Sequence, residues 1–291
     1  MFARMEKVGH IERRLINELA GLYTAGEARQ ICFMLFEARL GWSKADYLLH
    51  RQDTVDNDVY AWIVESLPAL KSAKPIQQIL GYAWFSGMKL IVDESVLIPR
   101  PETEELVALI AAQYADWTNR PLRIIDVGTG SGCIAIALKK ALPRSAVYAL
   151  DISQDALRIA KQNAANQATT VAFIHADILE WDLFFQPDQT FDIVVSNPPY
   201  ITYSEQADMS RNVLAHEPHT ALFVEDSTPL VFYEHIAAFA HQHLNPGGRL
   251  YFEINRKYGT QLCKVLENKG FDDVLLHTDM HGADRMIQAK I

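Results

Sequence analysis

The residues with the clearest chemical potential form a short segment, Asn-Pro-Pro-Tyr at 197–200, just after an apolar run at 191–195. A run rich in Val and Ile predicts a buried parallel strand, and open α/β sheets bind ligands at the carboxyl ends of their strands. The prolines make the turn stiff. The Asn197 side-chain oxygen and the Pro198 carbonyl are two acceptors beside the Tyr200 ring. This amide cradle suits a planar –NH2 group, although the four residues alone fit a proline-ended strand with a surface tyrosine equally well.

A glycine-rich loop, Gly128-Thr129-Gly130-Ser131-Gly132, separates a predicted strand at 122–127 from a predicted helix that begins at Cys133. Glycines at such a point allow a tight turn and a close approach of a ligand to the helix N-terminus. A dinucleotide fingerprint needs its third glycine at position 133, where this chain has cysteine. The observed spacing is Gly-x-Gly-x-Gly, with Asp126 two residues ahead. The loop alone leaves NAD binding open.

Two acidic residues follow the next two predicted strands. Asp151 directly follows the strand predicted at 146–150 and lies 21 residues beyond Gly130, the middle glycine of the loop. An acid at this strand end is placed to accept both ribose hydroxyls of an adenosine ligand. Asp177 follows the third strand and can accept from an adenine amino group, with Ile178 and Leu179 as apolar cover, but an Asp here is also a common helix cap. Together with the amide cradle, these strand ends predict an adenosine site beside an amide site.

The elements that position these residues alternate between strand and helix from residue 122 onward. Such alternation predicts an α/β fold with a doubly wound, seven-stranded, mainly parallel sheet. A helix from Glu102 or Thr103 to Tyr114 precedes the sheet. The predicted strands are 122–127, 146–150, 171–174, 191–195, 249–254, 274–277 and 285–289, and the helices between them are 133–141, 154–167, 230–243 and 258–269.

The first quarter of the chain has a different pattern. Residues 1–74 carry apolar residues at helical spacing, with Ser43 and Asp56 as N-caps, and predict a small helical bundle. Residues 75–98 predict a hairpin connector with short strands at 76–80 and 85–92. The sequence therefore predicts a bundle, a connector and a sheet domain at 99–291.

Composition narrows the class of protein. Apolar residues make up 49% of the 291 residues and charged residues 22%, as in soluble globular proteins. The net charge of −9 argues against nonspecific attraction to nucleic acid. Cys32, Cys133 and Cys263 are far apart and lack metal-ligand spacing, which indicates reduced thiols in a cytoplasm. The chain shows no signal-peptide pattern and no apolar run near 18 residues, so we expect a soluble, cytoplasmic protein without a metal.

Taken together, these motifs resemble those of the release factor glutamine methyltransferase family (HemK/PrmC type), which are class I S-adenosylmethionine-dependent methyltransferases. The resemblance covers nearly everything from about residue 75. At position 255 the chain has Asn where that pattern leads us to expect Gly, and we interpret this position as peripheral. The segments that carry the resemblance are Pro75–Gly81, Ile98–Glu104, Asp126–Gly132, Asn197–Tyr200, Glu217–Pro218, and Asp279 with Gly282 and Arg285.

This resemblance implies methyl transfer from S-adenosyl-L-methionine to the side-chain nitrogen of the glutamine in the Gly-Gly-Gln motif of class 1 peptide chain release factors. It implies a Rossmann-like methyltransferase domain at 99–291. The bundle at 1–74 fits a structural role and the docking of a substrate protein equally well, and we expect docking. We also expect a monomer that binds neither membrane nor nucleic acid directly. The implied catalytic and substrate-binding residues are Asn197, Pro198, Pro199 and Tyr200. The implied cofactor-binding residues are Gly128, Thr129, Gly130, Ser131, Gly132, Asp151, Asp177, Ile178 and Asn197.

Other activities use similar residues. The same chemistry on a ribosomal protein glutamine is the nearest alternative, and adenine-amino methylation of a flipped base uses a similar cradle. The acidic charge argues against the nucleic acid substrate. Glycine spacing and the Asn-Pro-Pro-Tyr segment argue against an NAD-dependent oxidoreductase. The presence of all the implied site residues argues against a catalytically silent binding module.

Overall fold

The computed structural model describes residues 5–291, which divide into two compact units. The smaller unit contains the chain up to Gly81 together with Ser210–His216, and the larger contains Tyr82–Met209 and Glu217–Ile291. In the described part of the chain no helix is long and apolar enough to span a bilayer. The helices are α1 (Val8–Glu18), α2 (Ala25–Leu40), α3 (Lys44–Leu49), α4 (Asn57–Lys71), α5 (Ile76–Leu80), α6 (Pro101–Gln113), α7 (Cys133–Ala141), α8 (Gln154–Asn166), α9 (Arg211–His216), α10 (Val231–His243) and α11 (Gly259–Asn268).

The strands range from two-residue pairs to a ten-residue strand near the end of the chain. Short 3-10 turns lie between several of them. The strands are β1 (Glu6–Lys7), β2 (Thr54–Val55), β3 (Tyr82–Phe85), β4 (Met88–Ile91), β5 (Arg123–Val127), β6 (Ala146–Asp151), β7 (Val171–His175), β8 (Phe191–Ser196), β9 (Ile201–Thr202), β10 (Phe223–Val224), β11 (Leu244–Glu253), β12 (Asp272–Thr278) and β13 (Asp284–Lys290).

The smaller unit is a helical bundle around one apolar core, with α1, α2 and α4 supplying most of the buried side chains. Ser43 caps α3 through a reciprocal capping box with Asp46, as predicted. Asp56 precedes α4 as predicted, but its side chain makes no capping hydrogen bond. The described backbone therefore confirms a helical N-terminal region.

Residues 76–80 form a helix, α5, so the strand predicted there is wrong. Their apolar residues stand at 76, 79 and 80, which is helical rather than alternating spacing. Pro75 precedes the first turn and Gly81 ends it in the left-handed conformation, as at many helix ends. The single strand predicted at 85–92 is also wrong, because this stretch contains the end of β3, a turn at 86–87 and β4. A hairpin is present, but it pairs β3 with β4 in antiparallel fashion.

The larger unit is built on a seven-stranded sheet with the strand order β12-β13-β11-β8-β5-β6-β7. β5, β6, β7, β8 and β11 run parallel to their neighbours in this group, and β13 pairs antiparallel with both β11 and β12. The predicted doubly wound, mainly parallel sheet is confirmed. Strand order reverses around β5, so the carboxyl ends of β5 and β8 lie at the switch point where such folds bind ligands.

Successive residues of the central strands face opposite helical layers. Ile124 and Ile193 pack in a core with α6 and α7, whereas Ile125 and Val194 pack in a second core with α10 and α11. All four side chains are fully buried, and burying one such side chain contributes about 1.5–3 kcal/mol. This burial on both faces explains why consecutive residues of these strands are apolar, and it holds the strand ends in a fixed frame.

Candidate active site

A cavity of about 400 Å³ lies at the carboxyl ends of β5, β6, β7 and β8 within the larger unit. Parts of all four predicted motifs line it. Thr129, Ser131, Gly132 and Tyr200 do not line it. The predicted site residues that do are Gly128, Gly130, Asp151, Asp177, Ile178, Asn197, Pro198 and Pro199.

The three glycines of the loop meet different surroundings. Gly128 and Gly130 have φ values of 73° and 54°, and a Cβ built on either meets no atom within 4 Å. Gly132 has a φ of 82°, and its added Cβ would meet the Ala160 Cβ and Ile136 Cδ1 at 3.1 Å. The first two glycines thus leave room for a ligand at the backbone, whereas the third allows close packing of α7 against α8.

Asp126 holds the loop to the following helix. Its Oδ2 accepts hydrogen bonds from the Thr129 hydroxyl at 2.6 Å and the Ala135 N–H at 3.2 Å. Oδ1 is buried and has no hydrogen-bond partner among the described residues. Burial raises the pKa of this carboxyl to about 7, against the effect of its two hydrogen bonds. Asp126 fixes the shape of the glycine loop from the buried side.

Asp151 lies between the glycine loop and the cavity. Its Oδ2 accepts from the Gly130 N–H at 2.8 Å and its Oδ1 from the Ser153 N–H at 2.9 Å. Burial raises the pKa of the Asp151 carboxyl, although these backbone hydrogen bonds oppose the rise. A carboxylate has about four acceptor sites, so each oxygen retains capacity for a further donor such as a ribose hydroxyl.

Asp177 both caps a turn and lines the cavity, the two roles that the sequence left open. Its Oδ1 accepts from the Leu179 N–H at 2.8 Å and caps the 3-10 turn at 178–183. Asp177 also lines the cavity, next to the mostly buried Ile178 and to Leu179. The same residue therefore fixes the turn and presents a carboxylate beside an apolar wall.

Hydrogen bonds to neighbouring elements hold the amide cradle in place. The Ser196 hydroxyl donates to the Val127 carbonyl at 2.7 Å and ties the end of β8 to the end of β5. The Asn197 Nδ2 donates to the Thr103 hydroxyl at 3.3 Å, which leaves the Asn197 Oδ1 as the free acceptor of that amide. Pro198, which lines the cavity, is buried. Two acceptor groups thus stand together at the carboxyl end of β8.

Sequence reasoning missed Glu253, at the end of β11. This residue is 1% exposed, and its carboxylate accepts from the Thr103 hydroxyl at 2.6 Å and the Tyr200 hydroxyl at 3.3 Å. Burial raises the pKa of Glu253, and burial likewise raises the pKa of the Tyr200 phenol. Thr103 and Tyr200 belong to the segments Ile98–Glu104 and Asn197–Tyr200 that carry the family resemblance, but Glu253 is far from both in the chain. Only its position at the carboxyl end of a buried strand could have indicated a role.

Position 255 is not peripheral, and that interpretation is wrong. The Asn255 Nδ2 donates to the Tyr200 carbonyl at 3.2 Å and to a Glu205 carboxylate oxygen at 3.1 Å. A glycine would lack this amide and could not bridge the two residues. Asn255 therefore supports the last residue of the amide cradle from the next strand end.

A buried carboxylate joins two loops that border the cavity. Glu217, with 1% of its side chain exposed, accepts from the Arg100 guanidinium at 2.5 Å and from the buried Ile98 N–H at 3.1 Å. Pro218 and His219 line the cavity just beyond it. Over residues 5–291, no group of three or more His, Cys, Asp or Glu side chains could hold a metal ion.

Two family models match this chain. The "Methyltransferase domain" model matches residues 119–276, which contain the glycine loop, Asp151, Asp177 and the amide cradle. The "PrmC N-terminal domain" model matches residues 13–81. The methyltransferase model by itself spans more than half of the chain, and it includes the strand ends that line the cavity.

Curated relatives cover most of the chain. The release factor glutamine methyltransferase of Flavobacterium psychrophilum is 40% identical over 94% of this chain and 96% of its own length. The enzyme of the same name from Bacteroides thetaiotaomicron is 46% identical over 76% of this chain and 77% of its own. A solved methyltransferase structure from Pyrococcus furiosus covers 80% of this chain and 98% of its own with a TM-score of 0.50 and 15% identity, a likeness in fold alone. The extent and identity of the curated matches show that the chain belongs to the release factor glutamine methyltransferase family.

Proposed function

We propose that this protein transfers the methyl group of S-adenosyl-L-methionine to the side-chain amide nitrogen of a glutamine, the one in the Gly-Gly-Gln motif of class 1 peptide chain release factors. The observation that carries the proposal is the pair of acceptors, the Asn197 Oδ1 and the Pro198 carbonyl, at a cavity that also presents Asp151. The names of the curated relatives support the choice of target.

The residues around the cavity fit S-adenosyl-L-methionine, the methyl donor. Gly128 and Gly130 leave open space where side chains would otherwise stand. Asp151 would bind the ribose hydroxyls, and Asp177 with Ile178 would bind the adenine edge and face. When bound, this cofactor supplies an electrophilic methyl group on a positively charged sulfur. Thr129, Ser131 and Gly132 would act indirectly, by holding the loop in shape.

The amide cradle addresses the weakness of an amide as a nucleophile. The lone pair of an amide nitrogen is delocalised into its carbonyl, so the nitrogen attacks poorly. Hydrogen bonds from its two N–H groups to Asn197 and Pro198 would increase the electron density on nitrogen and fix its direction of approach. Positioning and preorganised acceptors both lower barriers. Pro199 and Tyr200 would keep the turn rigid, and the proton lost from the methylated nitrogen passes to water.

The proposed partner is the release factor, and the proposed location is the cytoplasm. The helical bundle at 1–74 would dock the release factor, residues 75–98 would connect it, and 99–291 would carry the chemistry. The protein would act as a cytoplasmic monomer without binding nucleic acid directly. The net charge of −9 supports the last point, because a nucleic acid partner calls for a basic surface.

The test is methyl transfer from radiolabelled S-adenosylmethionine to a purified class 1 release factor, beside its Gly-Gly-Gln to Gly-Gly-Ala variant. We expect label on the first protein alone. Label on both would place the modification elsewhere on the release factor. Label on neither, with the cofactor still bound, would contradict the proposed target and direct the search to ribosomal proteins and then to nucleic acid.

The variant Asn197→Ala tests the amide cradle. We expect turnover to fall by about 100-fold or more, because one of two preorganised acceptors is lost. Cofactor affinity should change by less than about threefold, because Asp151, Asp177 and the glycine loop would supply most of the cofactor contacts in the cavity that Asn197 also lines. Single-turnover labelling and calorimetric titration with S-adenosylhomocysteine measure the two effects. An equal loss of both would assign Asn197 to cofactor binding instead.

A further inference from the structure

Behind the amide cradle, side chains from separate elements form a continuous hydrogen-bonded relay. Asn197 at the end of β8 donates to Thr103 in the first turn of α6, and Thr103 donates to Glu253 at the end of β11. The Tyr200 hydroxyl donates to the other oxygen of the same carboxylate. Thr103 is 2% exposed and Glu253 1% exposed, so water does not substitute for these partners.

The relay has a direction because a hydroxyl carries a single proton. Thr103 donates its proton to Glu253 at 2.6 Å, so it offers only lone pairs to Asn197. The Asn197 amide can then approach it only through Nδ2, at 3.3 Å. The reversed amide would place Oδ1 against those lone pairs, and Thr103 would have no proton to offer it.

Glu253 accepts the hydrogen bond of the Thr103 hydroxyl and so determines which way that hydroxyl points. Two hydroxyls, from Thr103 and Tyr200, both donate to its oxygens. Burial raises the pKa of Glu253, whereas the hydrogen bond from Thr103 and the positive charge of Arg285 oppose the rise. Arg285 is itself held by Asp279 at 3.3 Å. Because both carboxylate oxygens accept from these two hydroxyls, the proton of Thr103 stays directed away from Asn197.

We propose that Thr103, oriented by Glu253, is a positioning residue that turns the Asn197 amide so that its oxygen faces the substrate, and that this orientation selects glutamine over glutamate. This inference rests on the proposed function. With Oδ1 outward, the cradle presents Oδ1 and the Pro198 carbonyl, which match the two N–H groups of a glutamine amide. A glutamate carboxylate would meet two acceptors and no donor, which is the unpaired arrangement that gives specificity.

The experiment compares Thr103→Val, which keeps the shape but loses the hydroxyl, with Thr103→Ser, which keeps the hydroxyl. Thr169→Val is the matched control, because the Thr169 hydroxyl donates to the Ala164 carbonyl in a turn outside the cavity lining. Each variant is assayed for kcat on the release factor and for affinity toward S-adenosylhomocysteine. Equilibrium binding of the Gly-Gly-Gln release factor and its Gly-Gly-Glu variant is measured without cofactor.

We expect Thr103→Val to lower kcat by about tenfold, the size of one lost hydrogen bond, with cofactor affinity unchanged. The preference for the glutamine form over the glutamate form should fall at least threefold, because the freed amide can turn its donors toward a carboxylate. Thr103→Ser should restore both values to within about threefold of the unmodified protein, and Thr169→Val should leave them unchanged.

The outcomes separate this inference from the function on which it rests. Activity of Thr103→Val equal to that of the unmodified protein overturns the relay alone. A loss of kcat with an unchanged glutamine preference, or a loss that Thr103→Ser does not restore, assigns Thr103 a structural role and also overturns it. An unmodified protein that fails to label the release factor overturns both proposals.

Discussion

Two buried aspartates at neighbouring strand ends have different surroundings and so different roles. Asp126 is fully buried, and the contacts of its carboxylate come from the glycine loop and α7. Asp151 is 9% exposed and lines the cavity while it accepts from the Gly130 N–H. We therefore expect the first to affect the shape and stability of the loop and the second to affect ligand binding in the cavity.

Replacing Asp151 with Ala should weaken cofactor binding. In the proposed site the carboxylate would supply ribose acceptors, and it also accepts from the Gly130 N–H at 2.8 Å, so its loss would remove both effects. We expect the dissociation constant for S-adenosylhomocysteine to rise by about 10- to 100-fold, which corresponds to one or two charged hydrogen bonds. Titration calorimetry measures it. Asp155→Ala, at an exposed acid on α8, is the control, and equal affinities for the two variants would contradict the role.

Asp126 should make stability depend on pH near neutrality. Burial raises the pKa of Asp126 to about 7, above its unfolded value of about 4. A carboxyl of this kind stabilises the fold fully at low pH, and the contribution is lost as pH rises through about 7. The free energy of unfolding should therefore fall between pH 5 and 8 relative to that of Asp126→Asn, on the order of 1 kcal/mol or more. Urea titrations over this range measure it, and parallel pH curves for the two proteins would contradict it.

The site could be predicted from sequence only where the signal is local. Asp151 and Asn197 each directly follow or end an apolar strand, so their place at the sheet edge follows from the strand itself. The role of Asn255 and the relay from Thr103 to Glu253 depend on contacts between elements far apart in the chain. Nothing in the spacing of those residues specifies which side chains meet, because that depends on the strand order.

At the scale of elements, strand prediction was accurate where a run is buried on both faces. The consecutive apolar residues Ile193, Val194 and Val195 of β8 argue against a surface helix, since both faces of the strand need cover. The helical spacing of the apolar residues in α5 covers only about one turn, and Pro75 before it, together with Gly81 after it, supplies the further signal of a helix. For a segment of about five residues, the residues that flank it therefore predict helix or strand better than the apolar pattern within it.

Glu217 should prove important for the stability of the loops that border the cavity. Glu217→Ala removes the acceptor of the buried Ile98 N–H and the partner of the Arg100 guanidinium. We expect a loss of about 1–3 kcal/mol in the free energy of unfolding, the cost of leaving a buried donor unpaired. Urea denaturation measures the loss. The control is Glu225→Ala at an exposed acid, and an equally small effect at both positions would show that the loops do not need this carboxylate.

At the scale of the whole molecule, the proposed docking role of the bundle rests on apolar side chains that no core accounts for. Leu48 and Leu49 on α3 are 54% and 78% exposed, beside the buried Tyr47. Contiguous exposed apolar area marks contact surfaces for a protein partner, so we take these two adjacent leucines as the candidate contact on the bundle. The core of the bundle does not need them, so their substitution tests docking without unfolding the unit.

The double variant Leu48→Ser with Leu49→Ser should raise the KM for the release factor by about tenfold, as expected for an apolar anchor in a protein interface. Cofactor affinity and the melting temperature should remain as in the unmodified protein. Steady-state labelling at varied release factor concentration measures KM. Leu183→Ser, at a 70% exposed leucine in the larger unit, is the control. An unchanged KM in the double variant would remove this face from the docking surface.

The smaller unit is discontinuous in sequence, since α9 belongs to it. The His216 carbonyl accepts from the Gln78 Nε2 at 2.8 Å, and the His216 ring nitrogen Nε2 is 2.9 Å from the Ser72 carbonyl. During translation, this last helix leaves the ribosome on the order of ten seconds after the rest of the unit, at ~5–20 residues per second. The bundle therefore cannot reach its final form while it is the only part synthesised. Exchanging it between genes would likewise need three recombination junctions, one after Gly81 and one at each end of Ser210–His216.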